Sequence, residues 1–534
     1  MIRDDLAAGV LGALEALGVD PLPESIQLER PANREHGDWS TNVALASAKR
    51  AGRNPRELAQ ELATYLASNE LAHVDSVEIA GPGFINFRLK PTWLHDVLVE
   101  VVQGGADGYA APDLGAGERV NVEFVSANPT GPVHAGHARG ASHGDSLARL
   151  LERTGHQVTR EFYINDRGVQ MARFGESLAA RKAGEEPPEE GYLGQYIVDW
   201  ASEMPDGVDP VEWGKQRAIE DQKEVLGSFG VVFDRWFSEM SLVDSGAITT
   251  TLNELLSRGV AYEADGATWL RSTDFGDDKD RVLVKSDGEY TYLLPDIAYH
   301  RDKFSRSDRL INVWGADHHG YIVRMKAAMA SLGEDADKLE VEITQLVDLL
   351  KDGEPVRLSK RAGTVIELRD VIDEVGADAA RLTYLLQSID SRQTIDLAEV
   401  ASQGMDNPVF YVQMAHARIH GIARKAAETG IVRGPLADAS LALLVHEREL
   451  EVLRSLSEFP DVVAIAARDR APHRITTWVR ELAGTFHGFY HDCYVVADDV
   501  APELADARLQ LVEAARVGLS IGLDLLGVSA PEQL

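Results

Sequence analysis

A chain of 534 residues, 44% apolar and 26% charged, has the composition of a soluble globular protein with several buried cores. No stretch approaches the length of a membrane-spanning helix, and a single cysteine, Cys493, excludes an internal disulfide framework, which fits a reducing, cytoplasmic setting. The formal net charge of −33 argues against a basic nucleic-acid footprint over the whole surface, yet most of the 53 basic residues are arginines, which can gather on local patches.

Residues 1–105 read as a small α+β domain. The opening twenty residues carry acids, lack a cleavage site and follow the pattern of an amphipathic helix rather than a signal peptide. Residues 30–50 lead into a second helix, and Gly81-Pro82-Gly83 is a turn before the alternating Ile85-Asn86-Phe87. By themselves these residues assign no role to the domain.

Residues 120–153 organise the rest. Val120, Val122 and Phe124 alternate as in a buried strand, and Val125 continues the apolar run. Asn128-Pro129-Thr130-Gly131-Pro132 is a turn, and from His137 the pattern becomes helical, with Ala141, Leu147, Leu150 and Leu151 on one side and Gly155 as the stop. Residues 157–165 alternate again, so the unit is β-α-β and implies a parallel sheet. His134-Ala135-Gly136-His137 sits where turn meets helix, a place where unpaired backbone N–H groups and the positive end of the helix dipole favour an anion. Gly136, without a side chain, would let a flat ring lie on the backbone. Two ordinary surface histidines, or a metal pair, are the alternatives; the metal reading lacks both a second cysteine and an HExxH pattern.

Residues 168 to about 250 read as an acidic helical insertion. Residues 282–284 and 290–294 look like strands around Ser286-Asp287-Gly288, and Pro295-Asp296 opens a short helix. Residues 310–326 are again strand, turn and helix. Their Asp317-His318-His319 raises the alternative of a DHH-type metal phosphoesterase, although no convincing set of further aspartates stands on earlier strand ends. Residues 341–350 start like a strand, and Arg357-Leu358-Ser359-Lys360-Arg361-Ala362-Gly363 is a basic, glycine-ended loop. From about residue 398 the chain is wholly helical.

His134-Ala135-Gly136-His137 resembles the HIGH motif of class I aminoacyl-tRNA synthetases, and the longer string VEFVSANPTGPVHAGHARGA resembles its arginyl version. Leu358-Ser359-Lys360-Arg361 resembles the second class I signature, KMSKS, with Arg357 and Leu358 in place of Lys-Met and Arg361 in place of the last Ser. The resemblance implies a multidomain α/β protein. Residues 1–105 would be an N-terminal additional domain contacting tRNA, residues 106–397 a Rossmann-like catalytic domain with the insertion, and residues 398–534 an α-helical anticodon-binding domain. The implied activity is ATP-dependent activation of L-arginine and its transfer to tRNA(Arg). His134, Gly136, His137, Ser359 and Lys360 would bind ATP, with His134, His137 and Lys360 catalytic. Glu123, Asn128, Tyr292 and Asp296 would bind arginine, and Asp317, His318 and Arg361 are further candidates. Mg²⁺ is expected with ATP and no structural zinc, and a monomer is the expected state. A non-catalytic tRNA-binding relative is the remaining rival; it would have lost the HIGH-like or Ser-Lys residues, and both are present.

Overall fold

The computed structural model describes residues 2–31, 33–355, 366–402 and 404–534. The stretch that holds Ser359, Lys360 and Arg361 lies outside the described residues. The chain forms two compact units. The first comprises Met1–Gly105, Ile422–Ser457 and Gly488–Ala515; the second comprises Ala106–Gly421, Glu458–His487 and Arg516–Leu534.

In the first unit, strands β1 (Trp39–Thr41), β2 (Val74–Ala80) and β3 (Phe84–Leu89) form an antiparallel sheet in the order β1-β3-β2. Helices Ile2–Ala16, Val43–Ala51 and Pro55–Ser68 cover it. Leu6, Val10, Leu14, Leu58, Leu62, Ile85 and Phe87 fill the space between. The helix Pro55–Ser68 starts where the sequence says it should: Asn54 caps its first turn by accepting from the Arg56 N–H at 3.0 Å, and Pro55 needs no partner there.

The second unit is built on five parallel strands: β4 (Arg119–Glu123), β5 (Gln157–Ile164), β6 (Arg235–Ser238), β10 (Arg309–Gly315) and β11 (Leu339–Thr344), in the order β11-β10-β4-β5-β6. Between β6 and β10 the chain adds an antiparallel sheet of β7 (Ala261–Ala264), β8 (Ala267–Leu270) and β9 (Arg281–Val284). After β11 comes a small sheet of β12 (Val347–Lys351), β13 (Glu354–Pro355) and β14 (Gln393–Asp396). The main sheet grows from β4 to β5 and β6 on one side, then returns to lay β10 and β11 on the other. The order therefore reverses between β4 and β10, and an open α/β sheet holds its ligand beyond the carboxyl ends of the strands at such a switch point.

The helix Ala138–Arg153 connects β4 to β5 and is buried along most of its length. Its Gly144 faces the Phe124 ring so closely that an added Cβ would lie 2.2 Å from Phe124 Cγ. Gly144→Ala would overpack this contact, at a cost of roughly 1–3 kcal/mol. Asp145, on the same helix, accepts from Arg381 at 2.6 Å, and Arg381 also donates to the carbonyls of Phe229 and Leu526 at 3.1 Å. Both ends of that ion pair are buried. Removing Asp145 would strand the buried Arg381 charge, a loss of about 3–5 kcal/mol.

Two local expectations differ from the structure. Residues 290–294 are not a strand: Tyr290 makes one isolated bridge to Val284, and the helix Leu293–Arg306 starts three residues later. Pro295 and Asp296 both suit a first helical turn, the proline lacking an N–H and the acid meeting the positive dipole end. A short apolar run such as Leu293-Leu294 does not by itself separate strand from helix. The span 168 to about 250 contains helices Val169–Lys182, Gln195–Glu203 and Pro210–Ser228, but also β6, the outer strand of the main sheet. Four residues are too few for an alternation to stand out.

Candidate active site at the switch point

The strand β4 ends at Glu123, and the chain turns sharply just beyond. Val125 and Ser126 both take left-handed backbone conformations, with φ of 68° and 45°. Val125 therefore does not extend the strand, and two consecutive non-glycine residues of this kind mark a strained turn held by its surroundings. Ser126 Oγ supplies part of the hold, donating to Glu123 Oε1 at 3.0 Å and accepting from the Tyr163 N–H at 3.1 Å. The following turn is pinned from the insertion helices. Buried Gln222 donates through Nε2 to the carbonyls of both Asn128 and Gly131 at 3.0 Å, and the Tyr196 hydroxyl donates to Thr130 O at 2.9 Å. The helical insertion is thus what shapes the approach to the histidines.

His134 and His137 stand together. Their ring centroids are 3.7 Å apart and tilted by 32°, and a Cβ on Gly136 would lie 3.0 Å from the His134 ring. A Cβ there would press on the ring, and glycine leaves it room. The turn is joined to the segment that follows residues 356–365: the Ala135 N–H donates to Ile366 O at 2.9 Å, and the Leu368 N–H donates to Val133 O at 2.8 Å. The described chain therefore resumes at Ile366 against the backbone of the histidine turn.

On the other side of the switch point a group of acids collects. Glu123 comes from β4, Glu239 follows β6, and Asp296 lies in the first turn of Leu293–Arg306. Glu239 accepts from Arg167 Nη1 at 3.1 Å. Asp296 accepts from the Tyr321 hydroxyl at 2.6 Å. Its carboxyl is pushed up to about 7, first by burial and then by the negative charges of Glu239 and Glu123, against the opposing effects of the Tyr321 bond and Lys303. A permanent cation placed there would relieve this strain by favouring the ionised carboxylate.

The other expected residues fall at varied depths. Tyr292 lies one turn before Asp296, whose N–H donates to its carbonyl at 3.3 Å, and its side chain is 88% exposed. Asn128 is exposed and donates to Gln170 Oε1 at 2.9 Å. Asp317 and His318 form a pair at 2.9 Å on the turn after β10, both largely in solvent. From that turn it is Tyr321 that reaches inward. Among the described residues no three His, Cys, Asp or Glu side chains group as metal ligands. Glu239, Tyr321, Gln222 and Lys303 were not singled out by sequence reasoning. Glu239 follows a strand too short to see, Gln222 is one polar residue in a polar helix, and Tyr321 stands beside the more conspicuous histidines.

A parallel sheet that reverses at β4/β10, with a His-Ala-Gly-His turn opening a helix at the reversal, defines a class I aminoacyl-tRNA synthetase catalytic domain. Comparison with known families gives the same class and narrows it. The model described as tRNA synthetases class I (R), catalytic domain, matches residues 101–187 and 227–420, the arginyl tRNA synthetase N terminal domain matches residues 4–89, and the DALR anticodon binding domain matches residues 412–534. The arginine–tRNA ligase of Frankia alni is 48% identical over 559 residues, covering 100% of both chains. A solved Campylobacter jejuni relative is 35% identical with a TM-score of 0.76, covering 84% of this chain and 100% of its own. Thermus thermophilus arginyl-tRNA synthetase, 23% identical, shares the fold over 100% of both chains with a TM-score of 0.78. The chain belongs to the arginyl-tRNA synthetases. No helix among the described residues is long and apolar enough to cross a membrane.

Proposed function

We propose that the arginine–tRNA ligase reaction runs in the crevice between the carboxyl ends of β4 and β10, with a division of labour between the histidine turn and the acid group. ATP lies over Gly136, with His134 and His137 on its phosphates above the amino end of Ala138–Arg153. Ser359 and Lys360 act on the same phosphates, with Arg361 a further candidate. Mg²⁺ travels with ATP, held by its phosphate oxygens. An arginine carboxylate oxygen attacks the α-phosphorus. The bond to pyrophosphate breaks, and its negative charge passes to groups already in place to receive it. A terminal ribose hydroxyl of tRNA then attacks the carbonyl carbon of arginyl-adenylate, AMP leaves, and arginine is joined to tRNA through an ester.

Arginine is read by Glu123, Asn128, Tyr292 and Asp296, to which we add Glu239. A guanidinium is a planar fork of five donors and always charged, so two carboxylates and a tyrosine can satisfy it where a lysine would leave acceptors unpaired. Residues 1–105 and 398–534 carry the tRNA, residues 106–397 the chemistry, and the protein works as a cytoplasmic monomer. Asp317 and His318, across the switch point, line the crevice mouth. The observation that carries this reading is the buried carboxyl of Asp296, held by the Tyr321 hydroxyl and grouped with Glu239 and Glu123, beside a strand whose continuation is the histidine turn. ATP–pyrophosphate exchange with each amino acid, with and without tRNA(Arg), tests it. Of the amino acids, only arginine should support exchange, and only with tRNA present, because assembling the catalytic groups around ATP costs order that bound tRNA offsets. Exchange with another amino acid would overturn the selectivity, and exchange without tRNA would overturn the coupling.

A further inference from the structure

Lys303 is a fully buried lysine that the reaction as described does not use. Its ammonium donates to Glu123 Oε2 at 2.6 Å and to Asn312 Oδ1 at 2.7 Å, and it sits 4.5 Å from the centre of the Tyr299 ring. All three faces of the charge are thus occupied. Glu123 and Asn312 are register partners, the last pair joined between β4 and β10 before the chain leaves β4 for the histidine turn. Lys303 clamps the two central strands at the point where they part.

The clamp continues to Asp296, and each step has only one possible direction. His300 Nδ1 lies 2.8 Å from the Asp296 carbonyl, which can only accept, so Nδ1 carries the proton. His300 is held neutral by burial and by Lys303 nearby, so its Nε2 is an acceptor. Asn312 must then turn Nδ2 to His300, at 2.8 Å, which leaves Oδ1 for Lys303. At the other end, Glu123 Oε1 accepts from Ser126 Oγ. One buried chain of hydrogen bonds therefore runs from the strained turn after β4, through Glu123, Lys303, Asn312 and His300, to the backbone of the residue that carries the arginine-facing carboxylate.

We propose that Lys303 is a positioning residue for arginine recognition: it fixes Glu123 with one donor and, through Asn312 and His300, the first turn that presents Asp296. The proposal rests on the arginine reading given above. It also gives the acid group a defined charge. Glu123 is held by Lys303 and Glu239 by Arg167, while Asp296, which accepts from the Tyr321 hydroxyl, meets the guanidinium beside them.

The test measures the KM for arginine and the KM for ATP in tRNA-supported exchange, for wild type, Lys303→Met and Asn312→Ala, with circular dichroism and thermal unfolding to show that each variant is folded. Lys303→Met should raise the arginine KM on the order of 10- to 100-fold, as loss of a group that orients a ligand residue does elsewhere, and leave the ATP KM within about twofold. Asn312→Ala keeps the ion pair but cuts the link to His300, and should show the same split at smaller size. A folded Lys303→Met enzyme whose arginine KM is unchanged, or whose two KM values rise together, overturns the proposal. Should Lys303→Met fail to fold, the same outcomes in Asn312→Ala decide. A wild-type enzyme without arginine-dependent exchange would instead overturn the reading on which the proposal rests.

Discussion

The histidine turn and the acid group flank the same crevice but are assembled in opposite ways. The histidine turn itself lies in one run from β4 to the helix Ala138–Arg153, laid out by a strand end, the turn Asn128–Pro132 and a helix start, with Gln222 and Tyr196 pinning it from outside. The acid group draws Glu123, Glu239, Asp296 and Tyr321 from four separate segments, and only the sheet order brings them together. A contiguous site can be swapped or copied as a motif; a dispersed one depends on the whole sheet and carries a cost in charge repulsion. In the proposed division of labour, the first handles phosphate chemistry shared across the class and the second selects arginine.

The largest expected effect breaks the first region alone. His134→Ala or His137→Ala should slow adenylate formation by roughly 10²–10³, the loss typical of one transition-state contact. Single-turnover measurement of adenylate should find the arginine KM little changed.

Next in size is Asp296→Asn, which should raise the arginine KM by about 10- to 100-fold and spare the ATP KM, because a charge-assisted contact to the guanidinium is lost. The same change should stabilise the empty enzyme. The folded-state carboxyl, at about 7, lies above its ordinary 3.8, so the folded protein holds a proton the unfolded chain releases. Asp296 therefore costs stability as pH rises from 3.8 to about 7, and the full cost persists above that. Removing it should add up to about 4 kcal/mol above pH 7, visible in denaturant unfolding. A variant that loses arginine affinity and gains stability is the signature of a site, whereas a purely structural carboxylate would lose both.

The same carboxyl sharpens the comparison through pH. Guanidinium binds the ionised form, so the arginine KM should be flat above about 7 and rise as pH falls below it, approaching tenfold per unit. The ATP KM should lack this particular break; parallel profiles for the two substrates would count against Asp296 as the reader.

A smaller effect is expected from Gln222→Leu, which leaves the carbonyls of Asn128 and Gly131 without their shared donor. The fold should lose about 1–3 kcal/mol, the cost of unsatisfied buried groups, and the exchange rate should fall several-fold through a looser histidine turn.

Much of the first region was legible because its signals are local and overlapping. The alternation of Val120 and Val122, the turn residues 128–132, the helical spacing to Leu151 and the stop at Gly155 all agree with the observed strand, turn and helix. Val125 misled, since nothing in its side chain announces a left-handed backbone. The acid group was legible only in part. Asp296 was reached through the family resemblance; its neighbour Glu239 follows a four-residue strand with no readable period. Lys303 looks in sequence like any basic residue near a helix end, a favourable place for a cation, and only burial against Glu123 gives it another meaning. The misread strand at 290–294 has the same origin, since two leucines before a proline suit either structure until the packing chooses.

The most direct test of the two-region account is a double-mutant cycle on kcat/KM for arginine in tRNA-supported exchange, with wild type, His137→Ala, Asp296→Asn and the double variant. If the phosphate turn and the arginine reader act separately, the loss in the double variant should be the product of the single losses to within about threefold, as for independent sites. A double variant no worse than the poorer single one would show that the two residues serve one indivisible step, and would contradict the division of labour.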